Sequence, residues 1–280
     1  MNIKILSDST CDLSPAQLAE HDIELARLTV IKGGEPFTDG ITITPADIFA
    51  HVAAGGDLCS TTAINIQEYE ELFAKYSADY DAVIHINIGS GFSSCYQNAR
   101  LAAEEFSNVY VIDSQNLSTG QGHVVLEACR LAKTCDNMAE IVEKLNEFTS
   151  RVEASFVLDQ LAYMAKGGRC SAVAALGANL LGLKPCIEVK GGKMGVVKKY
   201  RGSYAKCLSA YVKDRLADRD DIIRNELFLT YTTVADDALQ AVKAGIQEHG
   251  HFATVYETTA GCTVSCHCGP STLGVLFVRK

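Results

Sequence analysis

The sequence predicts an α/β protein, with a doubly wound parallel sheet in its N-terminal half and a second, α+β domain after it. Three observations predict this. Short apolar strands alternate with amphipathic helices through the first half, the helix starts carry cap signals, and the pattern changes near residue 150 to strands joined by a tight glycine turn. A strand over 3–6 opens the chain. Ser14-Pro15-Ala16-Gln17 then supplies an N-cap, a proline at the first helical position and a capping-box glutamine. Asn65-Ile66-Gln67-Glu68 repeats that logic before a helix over 69–76. Strands over 82–88 and 109–112 and helices over 96–106 and 122–132 continue the alternation. Strands separated by helices of this length pair in parallel.

The second half starts with a strand over 155–158 and a helix toward residue 165. A Gly167-Gly168-Arg169 break follows, then an apolar, small-residue helix over 172–181. Strands at 187–190 and 195–200 flank Gly191-Gly192, the signature of a two-residue hairpin turn. Helices over 204–216 and 235–247 and strands over 227–231, 254–257 and 273–278 complete the unit. Lacking a Pro-rich or Ser-rich linker, the chain is divided at the acidic stretch 136–151, giving domains 1–150 and 151–280.

Composition narrows the function. The chain of 280 residues has a formal charge of -9, so no broad cationic surface is expected for nucleic acid, and none for adsorption to a membrane through a basic face. The start of the chain alternates like a strand and carries neither the apolar core nor the cleavage site of a signal peptide, which predicts a soluble, cytoplasmic protein. Eleven cysteines, an odd count, are read as reduced and mostly core. Cys262, Cys266 and Cys268 around His267 look like half a zinc site, but no second ligand pair completes it.

Short hydroxyl residues cluster where strands end: Ser7-Asp8-Ser9-Thr10, Ser60-Thr61-Thr62, Ser90 to Ser94, and Ser114 with Ser118-Thr119. In an open parallel sheet the carboxyl ends of the strands line one crevice. Any single serine or threonine is ordinarily a cap or turn residue. Four such segments on one rim suit a compact anionic group, because uncharged donors bind it without a counter-charge. A nucleotide fits poorly: Gly120-Gln121-Gly122 lacks the third glycine of a dinucleotide fingerprint, and the segment 177–184 lacks the ending of a P-loop. Ser93, Asp113 and His267 occur in the order of an α/β-hydrolase triad, which makes a serine hydrolase of acyl esters the alternative. Against it, Cys95 stands where the nucleophile elbow requires glycine. Read as an extended run, 262–268 points His267 outward with Thr263 and Ser265 and buries the thiols.

The ordered set Ser7-Asp8-Ser9-Thr10, Thr61-Thr62, residues 89–97, Val111-Ile112-Asp113-Ser114, Lys166-Gly167-Gly168-Arg169 and His267-Cys268-Gly269-Pro270 resembles the DegV family over essentially the whole chain. Each motif alone is weak, but the ordered set is specific. The resemblance implies a non-enzymatic carrier that buries one long-chain fatty acid between two domains. It would present the carboxyl group to a separate ATP-binding fatty-acid kinase subunit and carry away the acyl phosphate, with transient membrane contact and no cofactor beyond the bound lipid. By motif, Thr61, Thr62, Ser93, Ser94 and His267 would hold the carboxyl group, and Arg201 would meet phosphate or the kinase. Ser94 and Cys95 stand where Gly-Thr is usual in the family, and Ala63-Ile64-Asn65 replaces the common Gln-Pro-Ser.

Overall fold

The runs β1 (Ile3–Asp8) and β6 (Ala82–Asn87), buried along nearly their whole length, lie side by side at the centre of a four-stranded sheet in the computed structural model, which describes residues 1–176 and 182–280. With β2 (Glu24–Ala26) and β7 (Val109–Asp113) the order is β2-β1-β6-β7, and all pairings are parallel. The predicted doubly wound sheet is therefore present. Helices α1 (Pro15–Glu20), α3 (Ile66–Ser77), α4 (Cys95–Ala103), α5 (Thr119–Thr134) and α6 (Met138–Arg151) belong to the same half.

Both predicted capping boxes form. Ser14 accepts the Gln17 N–H while Gln17 Oε1 accepts the Ser14 N–H, and Asn65 and Glu68 do the same at the head of α3. Asn65→Ala is expected to lower stability by about 1 kcal/mol. A fall in the urea midpoint at constant slope would show it, and an unchanged midpoint would contradict it.

Between the first and second strands of the central pair the chain builds a small antiparallel sheet that the sequence reading lacks, in the order β4-β3-β5. Its strands are β3 (Thr29–Lys32), β4 (Glu35–Thr38) and β5 (Ser60–Thr62), with α2 (Pro45–Ala53) inserted before the last.

The second half forms a six-stranded sheet, β10-β9-β8-β13-β11-β12. Its strands are β8 (Val152–Leu158), β9 (Leu183–Lys190), β10 (Lys193–Arg201), β11 (Ile222–Tyr231), β12 (Thr254–Thr259) and β13 (Thr272–Arg279). Every pairing is antiparallel except β11 with β12. Gly191 and Gly192 make the predicted hairpin turn, both at positive φ. Helices α9 (Tyr204–Leu216) and α10 (Asp236–His249) cover one face through Tyr211, Val212, Leu239 and Val242. The other face shares a core with the first half, where Ala154, Phe156 and Leu276 join Leu6, Ile86, Val124 and Val125. Of the apolar helix expected over 172–181, α8 (Ser171–Leu176) accounts for the start, preceded by α7 (Leu161–Gly167); residues 177–181 lie outside the described residues. No described helix is long and apolar enough to cross a membrane.

One expectation is overturned: 262–268 is not extended but forms α11 (Cys262–Cys268). Its own N-cap, Gly261, offers no side chain, and the cap comes from distant carboxylates. Asp39 accepts the N–H of Cys262 at 3.0 Å and the Thr263 hydroxyl at 2.7 Å, and Asp12 accepts the Gly261 N–H at 2.9 Å. Both carboxylates meet the positive end of the helix dipole. Helical spacing then sorts the side chains. Cys262 and Cys266 pack with Val30, Ile43 and Ile48 under the small sheet, while Thr263, Val264, His267 and Cys268 turn toward a cavity.

Candidate functional site

The cavity has a volume of about 130 Å³ and lies where the first sheet, the small sheet, α7 and α11 meet. Each polar wall has a distinct origin. Thr61 comes from the edge strand β5, Ser93 and Ser94 from the loop that leaves β6, and Thr263 and His267, one turn apart, from α11. Arg169 comes from the connection between α7 and α8. Apolar surface is supplied by Leu28, Ile88, Phe92, Met164 and Met194.

The loop after β6 explains its glycines and serines. Gly89 N–H donates to the Asn116 carbonyl at 2.7 Å, and the Ser90 N–H and hydroxyl both donate to Asp113, which ties the turn to the end of β7. Gly91 lies against the hairpin tip, where a Cβ would collide with the Gly192 carbonyl oxygen. Ser93 and Ser94 are thereby placed on the cavity wall.

Thr61 Oγ1 and His267 Nε2 are hydrogen-bonded to each other at 2.8 Å, although 206 positions separate them in sequence. Gly167 passes so near that a Cβ there would lie 2.5 Å from His267 Nδ1, which is buried and without a partner among the described residues. Burial, reinforced by the Arg169 charge, lowers the His267 pKa to about 4. The imidazole is therefore neutral at pH 7, and the positive charge facing the cavity is that of Arg169. Its guanidinium is held by the Gly167 carbonyl at 2.7 Å and the Phe92 carbonyl at 3.4 Å. The expectation of uncharged donors alone is corrected on this point.

Four predicted residues, Thr61, Ser93, Ser94 and His267, come together on the wall. Thr62 and Arg201 do not. Thr62 pairs with Thr29 and is exposed outside the lining, and Arg201 closes the exposed end of β10, also outside it. Most other hydroxyls of the predicted rim serve the framework instead. Ser7 donates to the Ile86 carbonyl, Ser9 to Asp39, Thr10 to Gln121 and Ser118 to Asp12. Sequence reasoning gave no role to Arg169 or Thr263, although Arg169 ends the Lys-Gly-Gly-Arg motif.

Behind Leu117, Val264 and Cys268, which line both spaces, lies a second compartment of about 30 Å³ reaching Ala154, Phe156, Val189 and Leu276. Its threonines are chemically quiet. Thr230 is bonded to Thr119 and Thr258, Thr232 donates to the Gly269 carbonyl, and Thr272 donates to the Cys268 carbonyl. With those hydroxyls taken, the compartment behaves as apolar. The arrangement is a polar mouth with one cation, backed by an apolar recess, and it suits an amphiphile with an anionic head.

The alternative chemistries do not assemble. Ser93 donates to Cys95 Sγ at 3.1 Å, Asp113 accepts from Ser90 and from the Gln115 N–H, and His267 is bonded to Thr61. No hydrogen bond among the described residues links the three members of the supposed triad. Burial pushes the Cys262 and Cys268 thiols up to about 12, and Cys262 donates to the Ile43 carbonyl, so these are protonated core thiols.

Comparison with known proteins agrees with the fold. The model of a family described as "Uncharacterised protein, DegV family" matches residues 2–280. The chain belongs to the DegV family. A DegV domain-containing protein of Clostridium acetobutylicum, CA_C0701, is 32% identical over 281 residues, 99% of each chain. Two solved structures of DegV proteins superpose along the whole chain. One, reported as "Fatty Acid Binding of a DegV family Protein from Thermus thermophilus", has a TM-score of 0.89 at 24% identity, with all of both chains covered. The other, "DegV, a fatty acid binding protein from Bacillus subtilis", has a TM-score of 0.82 at 25% identity, again covering all of both chains.

Proposed function

We propose that this DegV protein is a carrier for a single long-chain fatty acid, with the carboxylate held by Thr61, Ser93, Ser94, His267 and Arg169 and the chain passing Leu117 and Val264 into the apolar recess. The observation that carries the reading is a donor-rich, cationic mouth that shares Leu117, Val264 and Cys268 as a wall with a second compartment whose threonine hydroxyls are already satisfied. Family members reported to bind fatty acids support it.

Energetics favour the same ligand. Burying a chain of about sixteen carbons at roughly 0.8 kcal/mol per methylene amounts to about 12 kcal/mol relative to water before ordering costs, enough to shield the lipid from water between encounters with a bilayer, where the chain is equally buried. A carboxylate left unpaired at the mouth would cancel several kcal/mol of that, which gives the donors and Arg169 their role.

The resemblance supports a finer reading. The carrier presents the carboxyl group to an ATP-binding fatty-acid kinase subunit, and leaves with the acyl phosphate. Arg201, exposed at the end of β10, is then a contact for that subunit rather than part of the headgroup grip. Native mass spectrometry of protein taken from bacterial cells is expected to show one fatty acid per chain; a protein that is reproducibly ligand-free and does not bind added fatty acid would overturn the carrier. Ser93→Ala combined with His267→Gln should weaken acid binding by about a hundredfold while leaving the methyl ester of the same chain less affected. Equal losses for both lipids would remove these residues from the headgroup site.

A further inference from the structure

The β9–β10 hairpin borders three spaces at once. Val189 on β9 and Met194 on β10 oppose each other as a cross-strand pair, the first lining the apolar recess and the second the mouth. On the other side of the hairpin is a cleft of about 300 Å³, bordered by Glu188, Val189, Lys190 and Gly191 together with Gln115 and Arg279. The hairpin is therefore a thin wall, with the proposed ligand space on one side and room to move on the other.

The base of this wall is fixed. β9 pairs with β8 from Cys186 to Val189, and Glu188 is ion-paired to Arg215 of α9 at 2.7 Å. Beyond Val189 that support ends. Gly192 rests so close to Gly91 that a Cβ on Gly91 would collide with its carbonyl oxygen, yet no hydrogen bond among the described residues joins 190–193 to that loop or to Gln115. On the inner face the Cys170 thiol makes only a weak bond to the Met194 carbonyl, at 3.8 Å. Lys190 and Lys193 oppose each other across the turn, both exposed and neither in an ion pair among the described residues, and like charges so placed destabilise a hairpin. Gly195, which has no described atom within 4 Å of where its Cβ would lie, gives β10 a point at which to bend.

Phe156, Val189 and Leu276 on the recess wall are all buried, so an acyl chain reaches it only past a wall that gives way. The other walls of the mouth are tied down: α11 by Asp12 and Asp39, and the loop after β6 by Asp113 and the Asn116 carbonyl. We propose that the hairpin tip, residues 190–194, is a flap that swings toward the outer cleft to admit the chain and closes again against Gly91. The proposal rests on the fatty-acid reading for what passes the flap, and on the hairpin's own contacts for the movement.

A reversible staple tests it. A Cβ on Gly192 would lie 3.9 Å from the Gln115 Cβ, a separation that a disulfide spans, so Gln115→Cys combined with Gly192→Cys can be locked by oxidation and freed by a reductant. A staple that fails to form would contradict the closed contact itself. Stopped-flow fluorescence with parinaric acid, a fluorescent long-chain acid, is expected to show association at least about tenfold slower in the oxidised double variant than in the same protein reduced, with wild type unchanged by the same treatment. Equal rates in the two redox states would overturn the flap. Gly91→Ala, whose methyl group pushes the tip outward, should speed association severalfold. Faster release at an unchanged association rate would show that Gly91 serves only to place the serine loop, and would count against the flap as well. Hydrogen exchange of the lipid-free protein separates the flap from its cargo. A peptide covering residues 186–196 should exchange more slowly in the oxidised staple than in the reduced one, and identical exchange would rule the movement out. A protein that shows the difference but binds no parinaric acid would refute the fatty-acid reading and leave the flap standing.

Discussion

Replacing Val264 with phenylalanine is expected to reduce affinity for a sixteen-carbon acid by a hundredfold or more, while leaving a short-chain acid nearly unaffected. Val264 stands on α11 one turn before Cys268, and both border the mouth and the recess. A ring there would fill the boundary that the mouth and the recess share. If the variant excludes about four methylenes from the protein, the loss is about 3 kcal/mol, which corresponds to the stated factor. Dissociation constants for a series of saturated acids should keep tightening with length in the wild-type protein and level off in Val264→Phe. Parallel slopes in the two proteins would show that the chain does not run past this residue.

Asp12→Asn should stabilise the protein at pH 8 and have little effect at pH 4. Burial, with repulsion from Asp39 added, raises the Asp12 pKa to about 7, against the pull of its bonds from Ser118 and the Gly261 N–H. A carboxyl group whose pKa is higher folded than unfolded contributes stability that is fully present below its unfolded value near 4. That contribution is lost progressively as the pH rises through about 7. Three pH units correspond to a change on the order of 4 kcal/mol, and an asparagine, neutral throughout, escapes it. Asparagine also tolerates the left-handed backbone at this position, φ 50°. Its amide can still accept from Gly261 and donate to the Ser118 oxygen. His267 works in the opposite sense, since its lowered pKa withdraws stability as the pH falls from about 6.5 to about 4, but that effect is common to both proteins and cancels in their difference. Thermal midpoints from pH 4 to 8 are the measurement. A gap between variant and wild type that does not widen with pH would contradict the charge assigned to Asp12.

Local signals made most of the fold legible. Ser14-Pro15 and Asn65 with Glu68 announced two helices, and Gly191-Gly192 announced the hairpin, because the groups that satisfy the backbone there lie within three residues. The small sheet and α2 carried the same kind of signal and went unread: Gly33-Gly34 is a hairpin turn at positive φ, and Thr44-Pro45 with Asp47 is a third capping box. The misreading of 262–268 has a different cause. Seven residues carry too short a pattern to separate a period of 2 from one of 3.6, and the cap that selects the helix is supplied by Asp39 and Asp12, more than two hundred positions away. At the site, residue types were readable but their duties were not. Ser9, Thr10 and Ser118 look like Ser93 in sequence, and only tertiary partners show that the first three brace the framework while Ser93 faces the cavity. Arg169 sits on a glycine break whose course depends on the His267 ring that Gly167 passes.

A crystal structure of the protein purified from bacterial cells, with whatever ligand co-purifies, tests the central claim most directly. The account predicts one fatty acid, its carboxylate within hydrogen-bonding distance of Ser93 and the Thr61–His267 pair and facing Arg169, its chain lying between Leu117 and Val264. A ligand without an acyl chain, or an acid bound with its carboxylate among Thr230, Thr232 and Thr272 and its tail at the mouth, would contradict it.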